Sequence, residues 1–288
     1  MIMKLSDIKN GNLSAEWAEK GYELPKFDVE AVKAKTHAEP TWVHFGAGNI
    51  FRAFPAAVLN DALNSGKYDR GVIVAESFDY EIIDKAYQPY DNLSLLVCLK
   101  STGEIEKKVI ASVTESLKAD YSFGEDWARL VEIFQNPSLQ MISFTITEKG
   151  YALYRPDGSL MPVVQADIDE GPAHARHAMS MVASLLLERF QNGAYPLAVV
   201  SMDNCSHNGE KLQTSVMTVA KAWLEKGFVG QDFIDYLSDE SKITFPWSMI
   251  DKITPRPDAK VQKMLADDGF EDNYTIVTEK HTFTAPFV

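Results

Sequence analysis

A chain of 288 residues with 28 Lys and Arg against 41 Asp and Glu carries a formal net charge of −13, and its 45% hydrophobic and 24% charged content is that of a folded globular protein. The acidic balance argues against nucleic acid or an anionic membrane as the main partner, and the longest apolar stretches, such as residues 182–187, fall short of a membrane span. Two cysteines, Cys98 and Cys205, are too few for a disulfide scaffold, and residues 1–10 lack a signal-peptide core, so a reducing cytoplasmic compartment is expected.

Residues 1–38 are polar and weakly periodic, and read as an N-terminal extension laid over a main domain of residues 39–288. Residues 41–45 (TWVHF) form a β-branched, aromatic run ending in a glycine turn, and residues 50–63 then carry apolar side chains at helical spacing. Residues 71–75 (GVIVA) are continuously apolar, as in strands of a parallel sheet covered on both faces. Residues 93–99 and 108–113 predict a hairpin turned at Thr102-Gly103, residues 127–134 a helix, and residues 141–146 (MISFTI) another buried strand. A long helix over 173–190, opened by Gly171-Pro172, leads to a strand over 197–202 (LAVVSM) and to helices over 209–226 and 230–237. This alternation predicts the α/β class with a Rossmann-type, doubly wound, mostly parallel sheet.

Gly46-Ala47-Gly48-Asn49-Ile50-Phe51-Arg52 stands at the turn between the first buried strand and its helix. A first glycine permits the tight turn, a second lets backbone N–H groups approach a pyrophosphate, and a helix N-terminus adds positive potential. Phe51 takes the place of a third glycine, and a glycine-rich turn without a ligand is the plainer alternative on spacing alone. Glu76, 28 residues beyond Gly48, ends the second apolar strand, where a carboxylate can accept hydrogen bonds from an adenosine ribose. An exposed strand-end carboxylate is the alternative. Ser77 and Phe78 follow it, with no adjacent Arg to hold a 2′-phosphate, which favours NAD over NADP.

Ligands of doubly wound sheets gather outside the carboxyl ends of the strands. Thr147-Glu148-Lys149-Gly150-Tyr151 follows one apolar run, Asp203-Asn204-Cys205-Ser206-His207-Asn208-Gly209 follows the next, and Asp251-Lys252-Ile253-Thr254-Pro255 comes later. The Asn204 amide suits an oxygen that gains negative charge during hydride addition. Lys149 is either a desolvated base or the partner of a carboxylate, and His207 either orients substrate or is structural. Asn208-Gly209 reads as turn chemistry, and Cys205 as a small buried thiol. His174 and His177 share a helix face but nothing completes a metal set, so no metal is expected.

These motifs, in this order and spacing, resemble the mannitol dehydrogenase family of polyol-specific long-chain dehydrogenases, over about residues 40–257. The resemblance implies metal-independent, reversible hydride transfer between a nicotinamide cofactor and C2 of a hexitol or hexonate, with a small sugar alcohol or sugar acid as partner. By position, Gly46 and Gly48 match the cofactor loop and Asn204 the strand-end Asn that supports the reacting oxygen. Asp251 matches the acid of a V-D-R-I-x-P signature in which Lys252 here replaces Arg and loses its planar fork. Cofactor contacts are expected from Ala47, Asn49, Ile50, Phe51, Arg52, Glu76, Thr147 and Glu148, and substrate contacts from Lys149 and His207. The family also carries a helical C-terminal domain with a Lys-x4-Asn-x2/3-His constellation whose Lys is the general base. No such constellation occurs in these residues, so the chain is expected to be the cofactor-binding part of a longer polypeptide. A dinucleotide-binding sensor without chemistry, or a mannitol 1-phosphate dehydrogenase, is the alternative.

Overall fold

The computed structural model describes residues 3–9 and 15–288. Its strands are β1 (Tyr22–Glu23), β2 (Trp42–Phe45), β3 (Val72–Glu76), β4 (Ser94–Leu99), β5 (Ile105–Ile110), β6 (Val113–Lys118), β7 (Met141–Phe144), β8 (Leu197–Ser201), β9 (Ile243–Thr244), β10 (Ile276–Val277) and β11 (Phe283–Thr284). The main sheet has six strands in the order β6-β3-β2-β7-β8-β9, and β2, β7, β8 and β9 pair in parallel. Every residue of β3 is buried, as expected of a strand covered on both faces. This is the mostly parallel, Rossmann-type sheet that the alternating runs predict.

The chain folds as two compact units, one of Met1–Ala38, Ala47–Ser116 and Lys252–Val288, the other of Glu39–Gly46 and Leu117–Asp251. In the second unit Phe45 stacks on Phe144 at 5.1 Å, and Phe134 meets Phe45 edge-on at 6.5 Å. The helix Ala178–Gln191 buries Met179, Val182, Leu185 and Leu186. Near its end the buried Arg189 donates to the carbonyls of Phe134, Asn136, Leu139, Tyr195 and Pro196 at 2.8–3.0 Å, tying together the loops that feed β7 and β8.

In the first unit, β1, β5 and β4 form a small sheet. Met3, Leu5, Trp17 and Tyr22 pack with Leu95, Val109, Phe270 and Phe287 in one apolar cluster. The last residues extend the small sheet: Leu95 N–H donates to the Pro286 carbonyl at 3.0 Å, and Val288 N–H to the Leu95 carbonyl at 2.8 Å.

Three elements differ from the sequence reading. The helix expected over 50–63 is two, Asn49–Ala53 and Pro55–Asn64, because Phe54 leaves helical space (φ −130°, ψ −76°) ahead of Pro55. The hairpin joins β4 to β5, and Val113 opens the separate strand β6. The helix expected over 173–190 starts at Ala178 after a 3-10 turn, Pro172–His174, and the His177 ring nitrogen accepts from Met179 N–H as its N-cap. Helices Val29–Ala38, Pro162–Glu170 and Ala259–Asp268 add to those expected from the sequence.

Candidate cofactor and substrate site

Gly46 has φ +107°, and a Cβ there would lie 2.3 Å from the Thr145 carbonyl oxygen, so only glycine fits. Gly48 differs: its φ is −73°, and a Cβ would meet nothing within 4 Å. Its backbone therefore faces open space in which a ligand can approach. The helix after this turn has only five residues, so the expected positive potential comes from the local N–H groups rather than a long macrodipole.

Glu76 is buried, 6% exposed, and braces this loop. One carboxylate oxygen accepts from Ala47 N–H at 2.7 Å, the other from Phe78 and Asp79 N–H at 2.8 and 3.1 Å. Burial raises its pKa above the ordinary carboxylate value, and the three N–H donors oppose that rise. The Tyr87 hydroxyl donates to the Ala47 carbonyl at 3.0 Å.

Arg52 is 1% exposed and donates to the Ala285 carbonyl (2.7 Å), the Thr284 hydroxyl (2.6 Å) and Asn49 Oδ1 (2.8 Å). Asn49 Nδ2 donates to the Phe283 carbonyl at 3.1 Å. These two fingerprint side chains thus engage β11. Phe51 is fully buried and Ile50 half-buried. What the turn offers a ligand is its backbone.

At the carboxyl ends of β7 and β8 the organising residue is Asp203. Its carboxylate accepts from Ile146 and Thr147 N–H, at 2.9 and 3.0 Å, and from the Tyr151 hydroxyl at 2.6 Å. Thr147 has φ +65°, a strained conformation for a β-branched residue. Glu148 pairs with Lys211, and Lys149 is exposed. Asn204 is exposed, with no hydrogen bond to its carboxamide among the described residues, which leaves both donor hydrogens for a ligand.

His207 lies in left-handed space (φ +55°), stacks on Trp247 at 4.5 Å and has Nδ1 3.3 Å from Glu210. The buried Asn208 opens the helix Asn208–Glu225 instead of forming the expected turn, and donates to the carbonyls of Asp203 (3.1 Å) and of the distant Ser248 (3.0 Å). A cleft of about 510 Å³, lined by Glu148, Tyr151, Tyr154, His207, Lys211 and Thr218 among others, opens here. Asp251 is exposed on a loop.

Sequence reasoning passed over two groups. Asp203 is one residue in a run of seven, and only its position immediately before Asn204 at a strand end singles it out. His44 sits mid-strand, fully buried, with Nδ1 2.7 Å from the Ser143 hydroxyl and Nε2 2.8 Å from that of Thr145. Among the described residues, no group of three or more His, Cys, Asp or Glu side chains could hold a metal ion.

Residues 40–287 match the mannitol dehydrogenase Rossmann domain. The chain belongs to the mannitol dehydrogenase family. D-mannonate oxidoreductase of Thermotoga maritima is 51% identical over 274 residues, covering 95% of this chain and 50% of that protein. D-arabinitol 4-dehydrogenase of Klebsiella pneumoniae is 29% identical over 245 residues, covering 83% and 50%. The chain thus spans about half the length of the curated relatives it matches. Two solved structures of this fold superpose with a TM-score of 0.75: a substrate-free D-sorbitol dehydrogenase, 24% identical over 95% of this chain and 52% of that one, and the Pseudomonas fluorescens mannitol 2-dehydrogenase with NAD and D-mannitol, 23% identical over 94% and 51%. Both show the fold. Every candidate residue, from Gly46 to Asp251, falls inside the stretch matched to the mannitol dehydrogenase family.

Proposed function

We propose that this chain is the dinucleotide-binding part of a metal-independent oxidoreductase that transfers a hydride between NAD and C2 of a hexitol or hexonate, of the mannitol/fructose or mannonate/fructuronate type. The observation that carries the reading is the turn at Gly46 and Gly48, where one glycine is demanded by the fold and the other leaves its backbone open. Identity of 51% to a D-mannonate oxidoreductase favours the hexonate side. The same reading takes residues 39–288 as the cofactor-binding part and residues 1–38 as its extension, in keeping with a family match that starts at residue 40.

NAD supplies the hydride acceptor or donor. Within this chain, the backbone at Gly48 holds the pyrophosphate, the buried Ala47 before it being fixed by Glu76 and Tyr87, with Thr147 and Glu148 as further cofactor contacts. The Asn204 carboxamide donates to the substrate oxygen as it gains negative charge, which lowers the barrier selectively in the transition state. His207 and Lys149 orient the polyol, and Asp251 joins Asn204 at the reacting end. On the family resemblance, the general base is a lysine outside these residues. The two unpaired cysteines, Cys98 and Cys205, suit a reducing cytoplasm.

Calorimetric titration of the chain with NADH, followed by assays of the full-length protein on mannitol, fructose, mannonate and fructuronate, tests this. Binding together with activity on one of these pairs is expected. Asn204→Ala should lower kcat by about 10²-fold or more while NADH affinity is kept. A chain that binds no dinucleotide would overturn the proposal.

A further inference from the structure

The loop that follows Glu76 is covered by a hairpin from the far end of the chain. Strands β10 and β11 pair Ile276 with Thr284 and Val277 with Phe283, and residues 278–282 turn between them. Asp79, 3% exposed, anchors that turn by accepting from the hydroxyls of Thr278, at 2.6 Å, and Thr282. Glu279 N–H reaches Glu81, whose charge is already paired with Lys85. At the tip, the Lys280 ammonium donates to the Phe78 carbonyl and lies 4.3 Å from the centroid of the Phe78 ring and 5.7 Å from that of Tyr80. Phe78 itself is 67% exposed.

In dinucleotide folds the end of the second strand decides between the two nicotinamide cofactors. A free carboxylate there pairs with the ribose 2′-hydroxyl and repels a 2′-phosphate, whereas a nearby cation accepts the phosphate. Here both terms are changed. Glu76 is turned inward and its oxygens are occupied by Ala47, Phe78 and Asp79 N–H groups. Ser77, beside it, carries no charge, and a built hairpin brings an ammonium to Phe78 from 202 residues away. That ammonium spends one of its three donors on the Phe78 carbonyl and keeps two.

Resting on the dinucleotide site proposed above, we propose that Lys280 is a cofactor-specificity residue, and that this chain accepts NADP(H) as well as NAD(H) by placing the 2′-phosphate against the Lys280 ammonium. The experiment is calorimetric titration of the chain and of its Lys280→Ala and Lys280→Arg variants with NAD⁺ and NADP⁺ at two ionic strengths, with a thermal melt of each. Wild-type Kd values for the two dinucleotides are expected within about tenfold of each other, and Lys280→Ala should weaken NADP⁺ by about tenfold, the worth of one charge-assisted contact near the surface. NAD⁺ affinity should stay within about twofold, Lys280→Arg should retain NADP⁺ binding, and the steeper salt dependence of NADP⁺ should vanish in Lys280→Ala. A lysine that merely holds the hairpin would lower the melting temperature and weaken both cofactors alike, which would overturn the assignment. So would binding of NAD⁺ with NADP⁺ more than about a thousandfold weaker. Binding of neither dinucleotide would instead remove the site reading on which the inference rests.

Discussion

At the scale of single residues, two hydrogen-bonded polar groups stand out, the half-buried Asp203 at a strand end and the buried His44 within a strand. Asp203 satisfies two backbone N–H groups and a phenol, and one of those N–H groups belongs to Thr147, whose positive φ costs of the order of 1–2 kcal/mol. Asp203→Ala should therefore destabilise the protein by about 3 kcal/mol in urea denaturation. Adding Thr147→Gly should recover about 1 kcal/mol of that, since glycine occupies left-handed space without strain. No recovery would mean that the carboxylate does not hold the turn. His44 is the second group. Burial pushes its imidazole down to about 3, so the folded protein keeps it neutral where the unfolded chain, with an ordinary histidine near 6.5, takes up a proton. Stability from this site is complete above about pH 6.5 and falls by up to about 1.4 kcal/mol per pH unit as the pH drops towards 3. Unfolding free energies between pH 7.5 and 5 should show that slope, and His44→Gln should flatten it.

At the scale of elements, the two glycines of the first turn separate folding from binding. Gly46→Ala places a methyl 2.3 Å from the Thr145 carbonyl oxygen at φ +107° and should cost about 2 kcal/mol or more, with loss of dinucleotide affinity. Gly48→Ala meets no protein atom and should melt within about 0.5 kcal/mol of the parent. A tenfold loss of NADH affinity in that variant, read by calorimetry, would then report the ligand alone. The pair also shows what the sequence could convey. Strands β2, β3, β7 and β8 were legible because fully covered strands are written as unbroken apolar runs, and the turn was legible because glycine spacing is local. The break at Phe54 was written in Pro55 and overlooked. What could not be read were acceptors distant in sequence: the Asn49 and Arg52 side chains, expected at the cofactor, are bound to residues 283–285, and Lys280 reaches Phe78 across 202 positions.

At the scale of the molecule, a net charge of −13 surrounds a site proposed for an anion, so attraction must be local, from loop N–H groups and individual cations such as Lys280. Stability is likewise shared between distant ends of the chain. A version shortened to end at residue 282 would strip the Arg52 guanidinium of its Thr284 and Ala285 acceptors and uncover the β4 edge now paired with residues 286–288. Such a chain should lose about 3 kcal/mol or more, or fail to fold, by urea titration and circular dichroism. The clasp between Asn49, Arg52 and β11 carries a lesson for protein engineers. The stretch from Gly46 to Arg52 is not a transplantable cassette: grafted into another nucleotide-binding scaffold without a counterpart of residues 283–285, it would bring along a buried cation left with Asn49 Oδ1 in place of its three acceptors.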